Sequence, residues 1–211
     1  MSTDQILAHL INRYPALKVC EKEIKAAGIL LIDSYKNQGQ LLTCGNGGSC
    51  ADADHIVGEI VKSFSKKRLL KNDFKDKLIE ISEKGGALLA SKLEQGLPAI
   101  SLNAHNALIT AISNDIGGDF IFAQQIMGYG QKGDVLLGIS TSGNSQNVVN
   151  ACITAKAKGL KVIALTGETG GKIKEFTDVA ICVPSTKTPD IQEFHLPIYH
   201  ALCIMVEEAF F

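Results

Sequence analysis

The stretch LLTCGNGGSCADADH, Leu41 to His55, ends an apolar run on Asn46-Gly47-Gly48-Ser49 and brings in a histidine one to two helical turns later. An apolar run that stops on glycine and small polar residues before a helical segment reads as a buried strand with a strand-end loop. Similar runs recur at Ala99–Leu102, Val135–Ile139, Val162–Leu165 and Val179–Val183, each tied to a helical segment. Continuous apolar runs alternating with helices predict a doubly wound α/β domain, with a mostly parallel five-stranded sheet flanked by helices. In such sheets ligands bind beyond the carboxyl ends of the strands, so the loops after Cys44 and Ile139 are the places to look.

Working outward, residues 1–38 read as N-terminal helices. Ile24, Ala27, Leu31 and Tyr35 recur at three to four residues, and Pro15 is expected to divide two helices because it is tolerated at a helix start but not inside one. A last helix is expected from about Asp190 to Phe211. Residues 62–96 break the rhythm, being highly charged and helical in pattern between the first site helix and the second strand. Their basic cluster, Lys66-Lys67-Arg68, is followed by acids within ten residues, which favours a solvated helical excursion or lid over a nucleic-acid patch.

The 211 residues fit a single domain, and 45% hydrophobic content can bury a core without disulfides. A formal net charge of −1 provides no field favouring nucleic acid or an anionic membrane. The six cysteines form no CxxC pair, and no apolar run reaches the ~20 residues that span a bilayer. The first residues lack the basic start and apolar core of a signal peptide. A cytoplasmic protein with no nucleic-acid or membrane partner is therefore expected.

The second loop, Ser140-Thr141-Ser142-Gly143-Asn144-Ser145, joins an apolar run to a helix start. Hydroxyls, glycine and the free N–H groups of a helix N-terminus converge well on an anion. Without the lysine of a nucleotide P-loop, and with Cys50 where a dinucleotide fingerprint needs its last glycine, the pair of loops points to a phosphorylated small molecule. Taken singly, such residues also make ordinary caps and turns.

His55 and Glu59 lie four residues apart, on one helical face. Near the C-terminus stand Gln192, Glu193, His195 and His200. A gathered set of nitrogen and carboxylate ligands suits a zinc-like ion with one open position, or proton shuttling at a sugar carbon. Surface pairing of His55 with Glu59 and a core role for a C-terminal histidine are the plainer alternatives. Gln192 and His195 share a helical face better than Gln192 and His200, so spacing leaves open which histidine reaches the site. Pro197, which removes a backbone donor, stands between the two histidines.

GNGGSxADAxH with a glutamate four residues on, the STSGNS loop and the PST-x-TP-x-IQE-x-H-x4-H terminus together resemble the phosphoheptose isomerases of the sugar isomerase (SIS) domain family. The resemblance spans nearly the whole chain outside 62–96. It implies an aldose–ketose isomerase interconverting sedoheptulose 7-phosphate and D-glycero-D-manno-heptose 7-phosphate through an enediol, for lipopolysaccharide or other surface glycans. Ser140, Thr141, Ser142 and Ser145 would grip the phosphate, and Asn46, Gly47, Gly48, Asn114, Asp115 and Gln192 would bind substrate. His55, Glu59, Gln192 and His200 match the family's zinc ligands, and Glu59 and His200 its proton-moving pair, which selects His200 over His195. A homotetramer with sites between subunits is also implied, so that His200 could meet a neighbour's Glu59. A non-catalytic phosphosugar-binding or regulatory SIS protein, or an isomerase of another sugar phosphate, is the rival reading. The chain departs from the family pattern in the long 62–96 insertion, in Asp190 where many members carry a base, and in Pro197.

Overall fold

A computed structural model describes residues 1–211. Ser2 opens α1 (Thr3–Arg13) with a capping box: its hydroxyl accepts from the Gln5 N–H, and the Gln5 side chain accepts from the Ser2 N–H. Pro15 then starts a 3₁₀ turn, Pro15–Cys20, before α2 (Glu21–Lys36), so the proline does divide two helices. Downstream come β1 (Leu41–Gly45), α3 (Gly48–Val61), α4 (Asn72–Ile81) and α5 (Glu83–Lys92). β2 (Ala99–Ser101), α6 (Asn106–Asp115), α7 (Ile121–Tyr129), β3 (Val135–Ser140) and α8 (Gln146–Ala157) follow. The chain closes with β4 (Lys161–Thr166), β5 (Val179–Cys182) and α9 (Thr188–Phe210).

All five apolar runs are strands, and every pairing is parallel, in the order β2-β1-β3-β4-β5. Strand alternation divides their side chains between two cores. Leu41, Val135, Leu137, Ile139, Ile163 and Leu165 pack with α1, α2, α3 and α9, whereas Leu42, Cys44, Leu136, Val162 and Ala164 pack under α7 and α8. Both faces of the sheet are thus dry, which is why the strands carry no polar alternation. The chain leaves β1 toward β2 on one side and later enters β3 on the other. That reversal makes the crevice between β1 and β3 the topological switch point.

α9 is one continuous helix of 23 residues running through the buried Pro197, with Pro189 in its first turn. The 62–96 segment contains the expected helices as a hairpin, α4 against α5, in which Gly86 is the only buried residue. Gly86 is required there because a Cβ would drive into the Leu78 carbonyl. Phe74, Ile81, Leu88 and Leu89 of the hairpin remain exposed. Its basic neighbours are each ion-paired: Lys66 with Glu208 at 2.8 Å, Lys67 with Glu94 at 2.9 Å, and Arg68 with Glu207 at 2.7 Å. No helix is long and apolar enough to cross a membrane.

Candidate active site

The loops after β1 and β3 meet at the switch point around a cavity of about 310 Å³. Asn46, Gly47, Gly48, Ser140, Thr141, Ser145 and Gln192 line it, together with Ser49, Ile139 and Thr188. Gly47 caps α3 with φ +58°, a left-handed conformation that favours glycine. Gly48 is bare for a different reason: a Cβ would strike the side-chain amide of Gln192, which lies directly on the loop.

Side chains tie the two loops together. Asn46 and Asn147 exchange reciprocal amide hydrogen bonds, each 2.9 Å, and Asn103 holds Gly45 through both backbone groups at 3.2 and 2.8 Å. The Ser145 side chain does not cap α8; its hydroxyl meets that of Ser140 at 3.1 Å instead. The N-terminus of α8 therefore points at the cavity without its own N-cap side chain on it, an arrangement suited to an anion. Gly143 turns the loop with φ +65°, packed so tightly that a Cβ would meet the Gly170 carbonyl. No charged side chain lines this cavity.

Three expected residues lie outside it. Ser142 is exposed, and its hydroxyl accepts from the Asn144 N–H at 3.1 Å, so it shapes the loop. Asn114 and Asp115 are exposed at the end of α6, bonded to each other at 2.8 Å.

A second polar cluster sits further along α3, where it faces α9. His55 Nε2 lies 3.1 Å from Glu59 Oε1, and the rings of His55 and His200 stand edge-to-face with centroids 5.1 Å apart. The structure therefore brings His200 beside His55 and Glu59 within one chain. His55 Nδ1 is 3.0 Å from the hydroxyl of Tyr199, which is itself 3.2 Å from Asp52 Oδ1. Burial, followed by the Asp52 charge, pushes the Tyr199 phenol well up, so its proton stays on. Burial also raises the Asp52 carboxyl, while Tyr199 and His55 pull the other way. Burial and then His55 push the His200 imidazole down, with Glu59 opposing. Phe64 lies against His200, ring centroids 5.3 Å apart.

Three buried atoms here have no hydrogen-bond partner: Asp52 Oδ2, His200 Nε2 and Glu59 Oε2, the last 3.9 Å from Lys62 Nζ. Such atoms are costly unless something polar or charged meets them. No group of three or more His, Cys, Asp or Glu side chains already closes around one metal-sized point. The donor chemistry nevertheless fits zinc, since His55, Glu59 and His200 offer a nitrogen, an oxygen and a nitrogen, two of these residues with buried unpartnered atoms. Gln192, the fourth expected ligand, rests in the glycine-loop cavity, eight residues from His200 on the same helix.

His195 belongs to neither cluster. It is fully buried, and burial pushes its imidazole down to about 4, partly offset by the Thr166 backbone. Tyr199, Asp52 and Phe64 are the residues that spacing did not single out. Asp52 could have been noticed one helical turn before His55, whereas Tyr199 and Phe64 enter only through tertiary packing.

The profile of the SIS domain family matches residues 15–94 and 78–167. A phosphoheptose isomerase of Nitratiruptor sp. is 44% identical over 187 residues, covering 89% of this chain and 86% of the relative. One from Helicobacter pylori is 39% identical over 206 residues, 98% of this chain and 94% of the relative. The structure of the Francisella tularensis phosphoheptose isomerase superposes with TM-score 0.77 at 30% identity, covering 99% of this chain and all of the other. That of Neisseria gonorrhoeae gives 0.73 at 34% identity, with 97% and 98% covered. The chain belongs to the SIS domain family, among the phosphoheptose isomerases.

Proposed function

We propose that the chain interconverts sedoheptulose 7-phosphate and D-glycero-D-manno-heptose 7-phosphate in the cytoplasm, supplying heptose for lipopolysaccharide or another surface glycan. The observation that carries this reading is the layout of α3. Its N-terminus borders an uncharged, hydroxyl-rich anion cradle, and His55 and Glu59 lie seven and eleven residues further along. At 1.5 Å per residue these groups stand roughly 10–16 Å along α3 from its N-terminus, so one helix carries both the loop that borders the cradle and the proton-transfer groups.

Aldose–ketose isomerisation takes a proton from the carbon next to a carbonyl and returns it to the neighbouring carbon through an enediol. Glu59, a carboxylate with one buried oxygen that no hydrogen bond holds, serves as the base. His200 exchanges a proton with the carbonyl and hydroxyl oxygens, and burial keeps it neutral and able to take either role. Ser140, Thr141 and Ser145, with the N-terminus of α8, hold the phosphate; Ser142 keeps their loop in shape. Asn46, Gly47, Gly48 and Gln192 flank the adjoining sugar carbons. A zinc ion held by His55, Glu59 and His200, with Gln192 drawn in, would stabilise negative charge developing on the enediol oxygens. Assembly as a homotetramer would let Asn114 and Asp115, exposed on α6, reach a neighbour's substrate. The presence of His55, Glu59 and His200 in one cluster weighs against a purely binding or regulatory role.

The test is proton NMR of sedoheptulose 7-phosphate with the protein in D2O, with and without added zinc. New aldose signals and deuterium on the carbon beside the carbonyl are expected. Glu59→Gln should keep phosphate binding while losing about 10²–10⁴-fold in turnover. A folded Glu59→Gln variant with undiminished turnover would remove Glu59 from the reaction, and no exchange by a wild type that binds the sugar would refute the isomerase.

A further inference from the structure

We propose that Tyr199 and Asp52 are positioning residues that fix the proton of His55 on Nδ1, leaving Nε2 as the lone pair that faces Glu59 and His200. The inference deepens the function proposed above and rests on His55 acting through Nε2.

Tyr199 is 1% exposed, and its hydroxyl carries one proton between two neighbours, Asp52 Oδ1 at 3.2 Å and His55 Nδ1 at 3.0 Å. An ionised Asp52 can only accept, and its other oxygen, Oδ2, is buried and already without a partner. Were the Tyr199 proton turned toward His55, neither Asp52 oxygen would have a hydrogen-bond donor, with Oδ2 buried, and leaving a partly buried carboxylate unbonded is unfavourable. The proton therefore goes to Asp52. The Tyr199 oxygen is then an acceptor, and His55 meets it with Nδ1–H.

A consequence follows on the far side of the ring. With its proton on Nδ1, a neutral His55 turns a lone pair on Nε2 toward Glu59 Oε1 at 3.1 Å. Lys62 Nζ lies 3.9 Å from the other Glu59 oxygen, so on the Nε2 side two electron-rich atoms held that close call for a further cation, whether a proton or a metal ion. The relay Asp52–Tyr199–His55 thus turns an ordinary His–Glu pair four residues apart into a cation site. A metal-bound histidine whose other nitrogen donates outward is the general pattern by which outer-shell groups orient ligands. Here the outer shell is split between α3, which carries Asp52, and α9, which carries Tyr199. The Tyr199 ring also stands perpendicular to both His55 and His200, centroids 5.5 and 5.1 Å away, so removing only its hydroxyl leaves the packing in place.

The experiment uses the full chain labelled with 15N and stripped of metal, at mildly alkaline pH. Long-range correlations from the ring carbon protons report which nitrogen of each histidine is protonated, and His55→Gln identifies the His55 signals. The wild type is expected to show His55 protonated on Nδ1. Tyr199→Phe should abolish that preference, and Asp52→Ala should reverse it, because the freed Tyr199 proton can then turn onto Nδ1. In competition with a chromophoric chelator, zinc affinity should fall roughly 10–100-fold in Tyr199→Phe. A wild-type His55 protonated on Nε2 would overturn the inference, as would a tautomer that Tyr199→Phe leaves unaltered. If the wild type shows the Nδ1 proton and its loss in Tyr199→Phe yet holds no zinc, the zinc assignment falls and the relay stands.

Discussion

Replacing Glu207 by alanine isolates the most concentrated polar interaction in the molecule. Glu207, on the last turn of α9, is 0% exposed and receives Arg68 Nε at 2.7 Å and the N–H groups of Phe64, Ser65 and Lys66 at 3.0, 2.8 and 3.0 Å. Burial works against its charge, but the Phe64 N–H, Arg68 and the Ser65 N–H outweigh it and hold the carboxyl below its ordinary value. Arg68, 2% exposed, donates from its two terminal nitrogens to the carbonyls of Ile60 at 2.6 Å and Glu59 at 2.7 Å. Glu207→Ala therefore strands a buried guanidinium and frees three backbone donors. Breaking a buried pair in this way costs about 3–5 kcal/mol, most of it the penalty on the charge left behind. Urea unfolding at fixed protein concentration, followed by circular dichroism, should show that loss. The double variant Arg68→Met, Glu207→Leu should lose less than Glu207→Ala alone, since no charge is stranded. A loss below about 1 kcal/mol in Glu207→Ala would refute the reasoning, because it would mean that water reaches Arg68 as readily as the carboxylate does. Turnover should fall as well: Arg68 holds the backbone of Glu59, and Glu207 holds the turn whose Phe64 braces His200.

Two further outcomes follow from individual positions. Gly143→Ala puts a Cβ at φ +65° against the Gly170 carbonyl, costing roughly 1 kcal/mol or more; isothermal titration should show weaker binding of sugar phosphate, and unchanged affinity would mean the loop can shift freely. His195 should shape the acid limb of stability. Its unfolded imidazole takes a proton near 6.5 and the folded one only near 4, so between those values the unfolded state holds more protons. Its contribution is complete above pH 6.5 and is lost as pH falls, by about 1.4 kcal/mol per unit and ~3 kcal/mol in all. His195→Leu should flatten that limb in urea midpoints measured from pH 7 to 4, and an unaltered limb would show that His195 is not what titrates.

What could be read from the sequence was what depends on local pattern. The apolar runs became strands because each is dry on both faces, and the two strand-end loops converged because parallel α/β topology puts them at one edge. Boundaries moved slightly: β2 stops at Ser101, although the Leu102 N–H still bonds the Thr43 carbonyl at 2.9 Å, and α9 begins at Thr188 rather than near Asp190. Pro197 sits inside α9, buried in the core, instead of ending it. The choice between His195 and His200 was beyond spacing alone. Both lie on α9, and only the packing of α3 across it decides that His200 meets His55 while His195 turns into the core. The partners of Tyr199 and Glu207 were equally hidden, since 144 residues separate Tyr199 from His55 and 139 separate Glu207 from Arg68.

Those hidden contacts share a logic that explains where the chain spends buried polarity. The polar contacts that α9 makes beside the site all go to α3 or the turn just after it: Tyr199 to Asp52 and His55, then Glu207 to Phe64, Ser65, Lys66 and Arg68. Apolar packing alone would let two helices slide with modest loss, because dispersion has little direction. Hydrogen bonds to fixed donors do have direction, and they stop α9 from shifting along or rotating against α3. Proton transfer is sensitive to displacements of that size, which can cost 10²-fold in rate. The sheet edge sets where the phosphate goes by topology; the register of α9 on α3 must be set by polar contacts, and the Arg68–Glu207 pair and the Tyr199 relay lie on either side of the His55–Glu59–His200 cluster to set it.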